Sequence, residues 1–280
     1  MSKGLLDPKV DFVFKNIFGS PNHPEILISF LNATLKAKKK IVNVDIKKTD
    51  IEKQYIEDKY SRLDVKATTS NDEIINIEIQ LKNENNMVKR SLYYLSKMYE
   101  EQLNEKEDYS KLVRTVCINI LNFKYLKTDN FHTGYRFKEI ESNEELTDIM
   151  EVHFIEIPKL QNSSDEKDML VAWTEFLKDP ESEKVRGLEL SIEEIRQAKD
   201  ELIRMSNDST QRELYDMRAN SLRDKMSELN AAERKGIEKG REEGRKEEKI
   251  KIARHMKLNG LDTNTIAKIT NLSEDEIDKL

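Results

Sequence analysis

The stretch RLDVKATTSNDEIINIEIQLK, residues 62–82, decides the fold. Its two halves alternate apolar and polar residues around Ser70, Asn71 and Asp72. Side chains on a strand alternate between faces, and a one-residue slip turns all of them over, so the register can be read. A three-residue loop suits the turn chemistry of Ser70, Asn71 and Asp72, and cross-strand partners then have numbers summing to 142. This register sends Leu63, Val65, Ala67, Ile75, Ile77, Ile79 and Leu81 to an apolar side. The other side carries Arg62, Asp64, Lys66, Asn76, Glu78, Gln80 and Lys82, with Asp64 opposite Glu78. Opposed cross-strand residues have Cβ atoms about 4.5 to 5.5 Å apart, and like charges there destabilise by some tenths of a kcal/mol. Two readings offset that cost. A magnesium ion shared by both carboxylates would do so, because Mg²⁺ prefers oxygen ligands and is held by one or two carboxylates plus substrate phosphate. A solvated polar face neutralised by Arg62, Lys66 and Lys82 would do so as well.

Composition bounds what surrounds this hairpin. The chain has 280 residues, enough for one large domain or one domain with appendages. A charged fraction of 36% and a mean hydropathy of -0.75 argue against one globule throughout. Net charge is -6, so any nucleic-acid binding must be local. Cys117 is the single cysteine, which excludes an internal disulfide and any multi-cysteine zinc site. The opening MSKGLLDPKVDF has no apolar core of a signal peptide, and no apolar run approaches the roughly 18 residues of a membrane span. The expected location is the cytoplasm, with no membrane contact. No glycine-rich phosphate loop, dinucleotide fingerprint or Ser-His-Asp order is present, so no nucleotide cofactor is expected.

Along the chain, DPKVDFVFKNIFGS predicts a helix capped by Asp7, with Pro8 in its first position and Gly19 at its end. Val10, Val13, Phe14, Ile17 and Phe18 form its apolar stripe, beside which Asp11 and Lys15 are spaced as a surface ion pair. A second helix is expected at 24–36, a strand at 41–46, and, after the hairpin, a helix from Asn86 to Asn104 with Val88, Leu92, Leu95, Tyr99 and Leu103 inward. A buried strand is expected at 112–121, an irregular stretch containing FHTGYRF, and a last strand at 151–157. His23, His132, His153 and His255 show no ligand spacing and read as surface or packing residues; Cys117 reads as an inert buried thiol.

After Pro158 the character becomes helical, with Trp173 as a packing anchor beside Phe176 and Leu177. Gly236, Gly240 and Gly244 recur in a highly charged segment, which reads as a helix pairing with another helix or as a pliable linker. The end, MKLNGLDTNTIAKITNLSEDEIDKL, breaks at Asn259-Gly260, then shows a short helix and a Ser273/Glu276 capping box, a helix-turn-helix pattern. Residues 261–280 set five acids against two lysines, which favours protein contact or helix capping over DNA reading. The expected divisions are 1–160, 161–230, 231–258 and 259–280.

The succession KVDFVFKNIFG, RLDVKA, NIEIQLK, RSLYYLSKMYEEQL and VRTVCINIL resembles the recombination-promoting nuclease and transposase-like family of the PD-(D/E)XK nuclease superfamily. The likeness covers most of residues 5–160, and the glycine-spaced helix with IAKITNLSEDEI resembles tails of that family. It implies an α/β fold: a restriction-endonuclease-like core of mixed sheet flanked by helices, followed by an all-helical C-terminal region. It also implies an Mg²⁺- or Mn²⁺-dependent DNA endonuclease that promotes recombination or transposition. By this resemblance Asp64 and Glu78 are the metal ligands, helped by the Ile79 carbonyl, and Asp11 is the acid from the first helix. Arg90 and Tyr94 match a basic and an aromatic position on the helix after the hairpin, which makes them candidates for substrate contact or charge stabilisation. Leu63 stands where the superfamily name has Pro. Gln80 stands where it has Lys, which leaves the reaction short of a positive charge that Lys66 or Lys82 would supply. Lys15 is a further candidate for charge stabilisation. Two other classes stay open: a catalytically degenerate nuclease fold that binds DNA or a protein, and a helical half that serves as an arm for homo-oligomer formation or protein contact.

Overall fold

The computed structural model describes residues 4–36, 39–47, 65–161, 164–165 and 167–280. The hairpin forms in the expected register. Strand β2 (Val65–Thr69) runs antiparallel to β3 (Ile74–Gln80), with Val65 opposite Ile77 and Ala67 opposite Ile75. Thr69 N donates to Glu73 O, and Asp72, at φ 62°, takes the left-handed conformation that closes a three-residue loop.

Around the hairpin lies a six-stranded sheet in the order β1-β2-β3-β4-β6-β5, where β1 is Val44–Lys47, β4 Thr115–Leu121, β5 His132–Lys138 and β6 Glu145–Glu156. β3, β4 and β6 are mutually parallel, and the remaining pairings are antiparallel. Every residue of β4 is buried, as expected of a parallel strand covered on both faces. The mixed sheet flanked by helices, followed by a helical C-terminal region, is the expected fold class.

Helices α1 (Asp11–Phe18), α2 (Pro24–Leu35) and α3 (Met87–Glu100) precede β4; α4 (Met169–Lys178), α5 (Glu183–Glu189) and α6 (Glu193–Asn207) follow the sheet, α4 packing on α2, α6 on α1 and α2, and α5 on α4 and α6. Trp173 on α4 is fully buried edge-on against Phe18 and Phe176, with its indole N–H donated to Ser29 Oγ at 3.2 Å. It is the expected anchor.

The structure corrects four expectations. First, α1 begins at Asp11 rather than beside Pro8. Asp7 and Pro8 are spent on a turn instead, with Asp7 Oδ1 accepting from Lys9 N and Val10 N donating to Asp7 O. Second, FHTGYRF is strand β5, not irregular; it pairs along the edge with β6, and a Cβ on Gly134 would meet the His153 ring at 3.0 Å, so glycine is what lets the two strands close there. Third, β6 starts at Glu145, six residues earlier than expected, because its first half pairs with β5 alone. Fourth, α3 buries Met87, Ser91, Tyr94, Leu95 and Met98, while Val88 (41% exposed) and Leu92 (48%) face outward. The sheet face beneath it carries Asn76, Glu78 and Asn119, so polar as well as apolar side chains turn inward.

The described chain divides into two compact units, residues 1–219 and 220–280. Helix α7 (Ser209–Leu258) is continuous through the glycine-spaced segment. In the second unit its last turns pack with α8 (Thr263–Thr270) and α9 (Glu274–Asp278) around Ala253, Ile266, Leu272 and Ile277. Ser273 and Glu276 form the expected capping box. Among the described residues no helix is long and apolar enough to cross a membrane.

Candidate active site

The inward face of the hairpin is not solvated. Glu78 is wholly buried near the C-terminal end of β3, opposite Asn119 on β4 and beneath α3. Arg90, one turn into α3, donates its Nε–H to Glu78 Oε2 at 3.2 Å. Oε1 is buried with no hydrogen-bond partner among the described residues, as is the neighbouring Asn76 Oδ1. Burial pushes the Glu78 pKa above the usual carboxylate range, and the charge and hydrogen bond of Arg90 pull it partly back. Cys117 lies on the same face, wholly buried, with its thiol pushed up to about 12 by burial and by Glu78; it is inert, as expected.

Five of the described glutamates in the first unit are buried, and their partners set Glu78 apart. Glu73 is held by Arg114 and by Thr69 Oγ1. Glu151 accepts from His153 on one oxygen and from Arg114 and Arg136 on the other. Glu156 takes the amides of Tyr125 and Leu126 on one oxygen and the Lys159 ammonium on the other. Glu175 has Lys184 and Lys178. In each of these four both oxygens are engaged. A buried acceptor left unmade costs about 1 to 3 kcal/mol, so Glu78 retains an oxygen whose burial nothing among the described residues offsets. It also sits toward the carboxyl ends of the parallel strands, the side on which open α/β sheets bind ligands.

Among the other expected site residues, Arg90 and Tyr94 join Glu78, with the Arg90 guanidinium 5.3 Å from the Tyr94 ring centre. Gln80 follows two positions along the same face, half-buried. Lys66 lies 3.8 Å from Glu101, and Lys82 is in the bend after β3, engaged with a partner. Asp11 is half exposed and pairs with Arg218 at 2.6 Å rather than with Lys15, which is half-buried on α1. Asp64, with Arg62 and Leu63, lies outside the described residues. Among those described, no group of three or more His, Cys, Asp or Glu side chains gathers as a metal site. The donor chemistry nonetheless fits a hard divalent ion: a buried carboxylate oxygen with no proton donor assigned to it.

A model of the family described as PD-(D/E)XK nuclease family transposase matches residues 8–232. The chain belongs to that family. Residues 246–280 match the C-terminal HTH domain of the Rpn/YhgA-like nuclease family, in agreement with the helix-turn-helix pattern of α8 and α9. Searches of curated proteins and of solved structures found no match. Membership makes the function nuclease- and recombination-related.

Sequence reasoning missed one cluster in this family member. His132 and His153, scattered along the chain, stack with ring centres 5.1 Å apart and share a 2.9 Å Nε2···Nδ1 hydrogen bond, and His153 Nε2 meets Glu151 Oε1 at 2.8 Å. Only the β5/β6 register brings them together. Burial, foremost, and His153 press His132 down to about 4. Burial opposes the charge of Glu151, yet His153 and Arg114 draw it down to about 2. Both shifts mean that the unfolded chain binds more protons than the folded one. Stability should therefore fall on acidification, first as pH drops from the ordinary histidine range toward 4, then as it drops from the ordinary carboxylate range toward 2. Lys36 and Asp168, which also act on His132, oppose each other. Thermal melting from pH 7.5 to 4.5 should show this decline, shallower in His132→Gln by on the order of 1 kcal/mol; superimposable curves would refute the assignment.

Proposed function

We propose that the protein is a divalent-metal-dependent endodeoxyribonuclease that hydrolyses phosphodiester bonds in DNA, with Asp64 and Glu78 holding Mg²⁺ or Mn²⁺. The observation that carries this reading is Glu78 itself, among the described residues the one buried glutamate with a carboxylate oxygen lacking a partner, at the ligand-binding end of a PD-(D/E)XK sheet. The 142 register is observed from Val65↔Ile77 to the Thr69–Glu73 hydrogen bond, and extending it by one position would set Asp64 opposite Glu78. The ion, when bound, would lower the pKa of a water ligand and neutralise charge on the scissile phosphate. Gln80, on the same strand face, would orient the attacking water through its amide, and burial of Glu78 keeps competing water from its carboxylate. Asp11 could join only by exchanging Arg218 for another partner.

The test is nicking of supercoiled plasmid. Cleavage should require Mg²⁺ or Mn²⁺, stop in chelator, and be abolished in Asp64→Ala while that variant melts like the unaltered protein. Cleavage at an equal rate by Asp64→Ala would reject the site; cation binding without cleavage would instead support a binding module that retains the nuclease fold.

A further inference from the structure

The Lys-to-Gln exchange at position 80 leaves open which group meets the phosphate with positive charge. Lys66 and Lys82 are both engaged. Arg90 is placed differently. It is held by its inner edge, Nε to Glu78 Oε2, and by its face, over the Tyr94 ring. The hydrogen bond to Glu78 uses Nε and not the Nη1/Nη2 fork, the charges of Tyr94 and Glu84 also act on the guanidinium, and the side chain is 23% exposed. A guanidinium fixed on one edge and one face has already lost its rotamer freedom, so a bidentate contact through the remaining fork costs little further order.

We infer that Arg90 is the phosphate clamp of the site, taking two non-bridging oxygens of a DNA backbone phosphate on its Nη1/Nη2 fork and supplying the positive charge that Gln80 lacks. Glu78 then divides its two oxygens: Oε2 orients Arg90, and Oε1 remains for the cation. The inference deepens the reading of Glu78 given above and rests on it for the placement of the phosphate. It does not depend on a lysine moving.

The full chain is used, with a fluorescein-labelled DNA duplex in Ca²⁺ followed by anisotropy over a series of KCl concentrations. Arg90→Gln should weaken binding about tenfold, the size of one lost charge-assisted contact, equally for unrelated sequences. The slope of log affinity against log salt should become shallower by about 1. Calorimetric titration should show that Arg90→Gln still binds Mn²⁺. Arg90→Lys, which keeps the charge but not the fork, should retain the salt slope and lose affinity. An Arg90→Gln protein with unchanged melting, affinity and salt slope would overturn the inference. If Arg90→Gln fails to fold, Arg90→Lys decides: affinity and nicking equal to the unaltered protein would overturn it. The two readings fail separately. No Mn²⁺ heat in the unaltered protein would sink the metal assignment while leaving the Arg90 effect on DNA intact; Mn²⁺ heat lost only in Glu78→Gln, with DNA binding unaffected by Arg90→Gln, would sink the clamp alone.

Discussion

Glu78→Gln should abolish cation-dependent nicking and calorimetric Mn²⁺ binding while leaving the protein folded and no less stable at neutral pH. The two effects have opposite signs because they come from opposite properties of one group. Ligation needs a charged oxygen, and loss of a carboxylate that holds the ion should lower the cleavage rate by about 100-fold or more, since even residues that merely orient metal ligands are worth 10 to 100-fold. Folding is served by a neutral group, because burial raises the Glu78 pKa. A raised carboxylate favours the folded state at low pH, and that contribution is lost as pH rises through the raised pKa. An amide removes the penalty, gaining on the order of 1 kcal/mol, and its oxygen can still accept from Arg90. Thermal melting at pH 7.5 and nicking measured on the same preparation check both arms. A variant that loses several degrees of melting temperature would mean that Glu78 serves as a structural counter-ion, as Glu151 does.

Trp173→Ala should cost about 3 to 5 kcal/mol, the range for truncating a buried aromatic to alanine. That is a large part of the roughly 5 to 15 kcal/mol by which domains are stable. The side chain is fully buried, packs against Phe18 of α1 and Phe176 of α4, and donates to Ser29 on α2. Its removal leaves a cavity where α4 meets the helices that support the sheet, so the loss should be felt in the whole first unit. Urea unfolding followed by far-ultraviolet circular dichroism measures it; a loss below about 1 kcal/mol would show that this contact is not what joins α4 to the core.

The hairpin was legible because its turn chemistry and its alternation agree, so one loop length fixed every cross-strand pair from Val65 to Ile77. Trp173 and the capping box at Ser273 were legible for a similar local reason. The inward face of α3 was not. Apolar spacing pointed to Val88 and Leu92, but the helix lies on a sheet face bearing Asn76, Glu78 and Asn119, and there Ser91 Oγ, 2.9 Å from Asn119 Oδ1, is the better neighbour. Arg90 was marked by family resemblance alone, since nothing in spacing says that an arginine turns back to a carboxylate twelve residues earlier. The histidine pair depends on how β5 and β6 align across a loop, and its polar edge strand with Gly134 carries little of the apolar alternation that marks a strand. Asp64, the partner on which the metal reading equally rests, lies outside the described residues.

The glycines of α7 have a consequence of their own. At Gly236, Gly240 and Gly244 no neighbouring atom lies within 4 Å of where a methyl group would sit, so no close approach explains the missing side chains. What is left is backbone freedom, at about 0.8 to 1 kcal/mol per residue relative to alanine. Three such residues within nine positions make this the stretch of α7 that intrinsic propensity favours least as a helix, just ahead of the terminal module at 246–280.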